Sequence, residues 1–106
     1  MDIQEIRTNI ELLPDVIYEL EKDYLEAKAQ LSYMNDLTKH LLAKWKIEYA
    51  DVKSNAERES IAMSKDKYRL HITGIAEQEK VVAGLAAKFH MEERRFESLR
   101  SLNKNI

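Results

Sequence analysis

The chain has 106 residues, at most one domain, of which 34% are charged, with two Gly, one Pro and no Cys. A formal charge of −2 gives no global attraction to nucleic acid or to an anionic membrane. The lack of Cys excludes a disulfide framework, thiolate chemistry and Cys-ligated zinc. So much charge with so little turn-forming material predicts long helices and no sheet.

The opening text, MDIQEIRTNIELLPD, is acidic and broken by charges, unlike a secretory signal. The sequence holds no run of about 18 apolar residues that could span a bilayer. The expectation is a soluble cytoplasmic protein with no membrane role.

Steps of three and four residues from Ile3 meet Ile6, Ile10, Leu13, Ile17, Leu20, Tyr24, Ala27, Leu31, Met34, Thr38, Leu41, Trp45, Glu48 and Val52. Only Thr38 and Glu48 break the apolar series. A 3.5-residue repeat is the seam of a coiled coil, whose knobs need a facing helix. A partial second stripe, Val16, Leu25, Leu37 and Leu42, widens the apolar face beyond a two-stranded seam and favours a bundle.

Pro14 falls inside this register, where it would delete one hydrogen bond and press on the carbonyl of Ile10. The reading is therefore a short helix over residues 2–13, a break, and a long helix over 14–52 with Pro14 in its first turn. A continuous kinked helix is the alternative.

A turn is expected over residues 53–60, with the chain reversing near Lys53–Asn55 and irregularity before Ser64. Ser54 and Glu57 have the spacing of a capping box, and Ser64 with Asp66 offers a second helix start.

The second long helix is expected over residues 61–103. Its core column is Ile61, Tyr68, Ile75, Val82, Phe89 and Phe96, beside a mixed column of His71, Gln78, Leu85, Glu92, Leu99 and Ile106. Gly74 and Gly84 fall inside it, each costing about 1 kcal/mol relative to Ala. With Ala76, Ala83, Ala86 and Ala87 they predict close approach of another helix, a hinge being the other reading.

The fold expected is thus all-α: an antiparallel two-helix coiled-coil hairpin with a short N-terminal helix. Two helices cannot enclose apolar side chains on every side, so assembly into a homo-oligomeric helical bundle is expected through the same seam. Charge agrees with the orientation. Residues 1–36 hold nine acids and three bases, residues 37–106 ten acids and fourteen bases. An antiparallel pairing sets Glu19, Glu21, Asp23 and Glu26 opposite Arg94, Arg95 and Arg100, which selects register more than it adds stability.

No constellation for catalysis emerges. The residues three before His40, His71 and His90 are Leu37, Tyr68 and Ala87, so the Glu-x-x-His of di-iron bundles is absent. His90 and Glu93 show only the reversed spacing. No zinc-protease, phosphate-loop or dinucleotide pattern occurs, and no nucleophile, base and orienter stand together in the sequence. The expectation is a non-enzyme without metal or cofactor.

The remaining signal lies between Lys39 and Arg69, where eight Lys and Arg residues stand against five acids, interleaved with Trp45, Tyr49 and Tyr68. Single-strand binders combine a positive track with aromatic faces on which bases stack. Trp45 and Tyr68 hold seam positions and read as core, so the charge carries this signal. Candidate nucleic-acid contacts are Lys44, Lys46, Lys53, Arg58, Lys65, Lys67 and Arg69.

The segments YLEAKAQLSYMNDLTKHLLAKWKIEY, KSNAERESIAMSKDKY and RRFESLRSL form a Tyr- and Lys-rich helix, a polar turn and an aromatic–Arg ending. This layout resembles the UvsY-type recombination mediators of tailed phages, over roughly residues 15–102 and as a pattern of text. The resemblance implies a homo-oligomer that binds single-stranded DNA and helps load a recombinase in place of a single-strand-binding protein. A coiled-coil adaptor or inhibitor, binding another protein and no nucleic acid, is the competing expectation.

Overall fold

The structure, a computed structural model, describes residues 1–48 and 54–105. Among them it is entirely helical: α1 (Ile3–Glu48), α2 (Asn55–Met63) and α3 (Asp66–Lys104). The chain forms two packed units. A terminal unit joins Met1–Ala27 to Val81–Ile106, and a middle unit comprises Lys28–Lys80.

Asp2 starts α1, its carboxylate accepting the Glu5 N–H at 2.8 Å, so one orphan amide of the first turn is satisfied. The expected break before Pro14 does not occur: α1 runs through Pro14 without interruption for 46 residues. The reason is packing on both sides of the missing hydrogen bond. Ile6 and Leu13 are buried with Leu99, and Ile10, Ile17 and Phe96 pack against that cluster. Apolar burial straddling the proline holds the helix where local propensity alone would end it.

In the terminal unit the two helical stretches run antiparallel, as Asn9 meets Arg95 and Tyr24 meets Phe89. The Tyr24 and Phe89 rings stack with centroids 6.3 Å apart. The acid–arginine pairing across helices is not what forms. Arg95 and Arg100 pair with Glu92 and Glu97 one turn back on their own helix, at 3.5 and 3.3 Å. Arg94 donates to the carbonyl of His90. Helical spacing of three residues supplies these partners at less entropic cost than reaching across the seam.

The middle unit repeats the antiparallel arrangement. Met34 touches Gly74, Thr38 bonds His71, and Trp45 meets Tyr68. Trp45, Ala62 and Ile75 are its buried residues. Thr38 is the polar interruption of the seam, and the structure shows how it is accommodated. Its hydroxyl donates to the Met34 carbonyl at 3.2 Å and shares a hydrogen bond with His71 Nε2 at 2.8 Å.

The segment read as a turn over 53–60 is in fact helical from Asn55 onward. Ser54 caps α2 in an extended conformation, its side chain accepting the Glu57 N–H at 3.4 Å. A turn at Ser64 and Lys65 separates α2 from α3, while Lys53, where the chain reversal is expected, lies outside the described residues. Ser64 closes α2, its hydroxyl donating to the Ile61 carbonyl at 2.7 Å, and so does not cap α3. The single helix expected over 61–103 is therefore the end of α2 followed by α3.

Seam residues Ile17, Leu20, Tyr24, Leu31, Met34, Leu41, Tyr68, Val82, Phe89 and Phe96 are half-buried, while Trp45 and Ile75 are buried. Val16 and Leu25 of the second stripe face solvent, whereas Leu37 and Leu42 are half-buried. Val52 and Ile106 lie outside the described residues.

Candidate nucleic-acid interface

Trp45 and Tyr68 position the basic residues. They are the centres of two similar triplets, Lys44-Trp45-Lys46 on α1 and Lys67-Tyr68-Arg69 on α3. The rings meet edge to face at 6.2 Å and 78°, with Trp45 only 5% exposed. An aromatic turned inward leaves its two helical neighbours to emerge at either side of the contact. One packed aromatic pair therefore joins two basic triplets from segments more than twenty residues apart.

Lys44, Lys67 and Arg69 are exposed, as is Lys65 in the α2–α3 turn. Lys46 is half-buried and pairs with Glu59 of α2 at 3.7 Å, and Arg58 is also half-buried. Lys53 and Tyr49 lie outside the described residues. A recess of about 270 Å³ is lined by Trp45, Glu48, Lys65, Asp66 and Lys67. Two carboxylates in that recess oppose an anion entering it, so phosphates are better met by the outward Lys44, Lys67 and Arg69. With Trp45 and Tyr68 facing each other, the described part of this end offers charge and no open stacking platform.

The terminal unit carries a second feature that seam periodicity does not disclose. A groove of about 380 Å³ has Pro14, Ile17, Tyr18 and Phe96 as its apolar wall, with Glu21, Glu93 and Glu97 beside them. Tyr18 is 65% exposed. The sequence signal would have been Pro14 and Tyr18, which flank seam residue Ile17 on one helical side. His90 and Glu93 do meet, at 3.1 Å, as an exposed pair on one helix. Among the described residues no group of three or more His, Asp or Glu is placed to hold a metal ion. None of the helices searched is long and apolar enough to cross a membrane.

The two units differ in charge. Residues 1–27 and 81–106 contain eleven acids and seven bases, a balance of −4, whereas residues 28–80 contain ten bases and eight acids, +2.

No known protein family, curated protein or solved structure matches the chain.

Proposed function

We propose that this protein is a non-catalytic, homo-oligomeric accessory of DNA recombination or replication, of phage type. It binds single-stranded DNA through the basic end of the middle unit and works beside a recombinase or a single-strand-binding protein. The observation that supports the DNA-binding part is the Trp45–Tyr68 contact, which brings together the two helical stretches carrying Lys44, Lys46, Lys67 and Arg69. The resemblance to UvsY-type mediators supplies the recombination setting and the recombinase partner. Because the aromatics face inward, binding rests on phosphate contacts and is tolerant of base sequence.

A second reading, the coiled-coil adaptor or inhibitor, draws on the acids Glu48, Glu59 and Asp66 at that end and on the Lys46–Glu59 pair, which takes up one cation. The two separate in one titration of a labelled oligothymidine by fluorescence anisotropy at about 50 mM salt. Binding by the wild type, weakened at least tenfold in K44E/K67E/R69E while the helical circular dichroism is kept, supports the DNA reading. A wild type that fails to bind at any salt concentration supports the adaptor.

A further inference from the structure

In the middle unit the α1 series Leu31, Met34, Thr38, Leu41 and Trp45 has a single polar member, Thr38, and it meets a polar residue of α3. Its oxygen shares a hydrogen bond of 2.8 Å with His71 Nε2, and both side chains are half-buried. The same hydroxyl reaches the Met34 carbonyl at 3.2 Å, so the threonine is anchored on its own helix as it meets the other. His71 is one turn along α3 from Tyr68, and Thr38 is two turns along α1 from Trp45. The polar pair therefore lies on the seam that carries the aromatic contact between the basic triplets.

Apolar contacts alone choose a register weakly. Leu, Ile and Met fill one another's places at modest cost, so a seam moved by one heptad still sets apolar side chains against apolar ones. The Met34 tip, 3.4 Å from where a Gly74 Cβ would stand, belongs to a flexible side chain that can turn elsewhere. The polar pair is more exacting. One heptad from Thr38 on either side stand Leu31 and Trp45. A shift in either direction thus sets the imidazole of His71 against an apolar side chain and takes the hydroxyl away from it, which is costly in a half-buried seam. The same shift moves Lys44-Trp45-Lys46 about 10 Å along the axis relative to Lys67-Tyr68-Arg69.

We propose that Thr38 and His71 are a positioning pair for the basic end. Their bond selects the one register in which Trp45 meets Tyr68 and the two basic triplets lie together. A polar residue at a single seam position is a recognised means of fixing register at some loss of stability. The functional consequence rests on the DNA reading above, whereas the choice of register rests on the geometry alone.

The chain has one Trp and no Cys, so register can be read by energy transfer from Trp45 to a thiol-linked acceptor on A76C, an exposed position of the same unit. An excess of the matching unlabelled W45F chain restricts transfer to pairs within one chain. In this background the wild-type seam gives a single donor–acceptor distance, and so does T38S, which keeps the hydroxyl. T38L/H71L, whose seam is wholly apolar here, keeps its helical circular dichroism and gives a second distance, from chains slipped by about 10 Å along the axis. T38V, which loses the hydroxyl without losing volume, does the same. In both, the apparent affinity for oligothymidine falls by the fraction of chains left in the first register. A single unchanged distance in T38L/H71L and T38V overturns the positioning role. Two distances with undiminished oligothymidine binding overturn its link to the basic end. A wild type that binds no oligothymidine overturns the DNA reading, and the distances still decide the register.

Discussion

Single residues decide more of this structure than their number suggests. Pro14 lies inside α1, where it removes one backbone hydrogen bond and crowds the carbonyl of Ile10. Its replacement by Ala restores the bond without disturbing a buried side chain, since Pro14 is exposed. P14A is expected to stabilise the fold by about 1–3 kcal/mol, read as a rise in Tm. Glycines separate in a similar way. A Cβ at Gly84 would meet nothing within 4 Å, whereas one at Gly74 would lie 3.4 Å from Met34 Cε. The space beside Gly74 is thus filled by the tip of the Met34 side chain, and that beside Gly84 is open among the described residues. G84A should gain about 1 kcal/mol from helix propensity alone, a rise of about 4–8 °C in Tm. G74A should gain no more than that, because the Met34 side chain must adjust. Thermal unfolding of the two variants side by side measures the difference.

At the scale of elements, the heptad register was legible because its residues obey one period and one partner. Ile6, Leu13, Ala27 and Trp45 are buried at the positions the repeat assigns, as are Ile75 and Leu99 on the facing helix. The polar seam members could be placed but not explained from the sequence. Only the structure shows Thr38 bonded to His71, a partner 33 residues away. Helix ends were read less well, for two physical reasons. At Pro14 long-range packing overrides a local stop signal. At Ser64 a residue that suits the start of one helix serves as the end of another, as its hydroxyl turns back to Ile61. The charged pairs were misassigned because partners three residues apart on one helix compete with partners across the seam. Trp45 links the elements to the candidate site. W45A should cost about 3–5 kcal/mol and also weaken oligonucleotide binding, since the basic triplets lose the contact that aligns them. W45F should retain most of both, as judged by chemical denaturation and anisotropy on the same samples.

For the molecule as a whole, the distribution of charge matters more than its total. A net charge of −2 reads as indifference to DNA, yet the chain divides into a terminal unit at −4 and a middle unit at +2. The candidate cations were visible in the sequence as a local excess, and Lys44, Lys65, Lys67 and Arg69 prove exposed. The Lys46–Glu59 pairing was not visible, because it depends on where α2 packs. The groove beside Pro14 and Tyr18 was equally hidden, since its wall is drawn from α1 and from Phe96 on α3.

The most direct test of the account is the salt dependence of oligothymidine binding by the wild-type protein. The outward cations Lys44, Lys67 and Arg69, displacing counterions from a single strand, predict a log–log slope of about −2, independent of base sequence. Their loss in K44E/K67E/R69E should leave too little affinity to define a slope. A salt-independent affinity, or one that the triple variant retains, would contradict phosphate binding at the basic end.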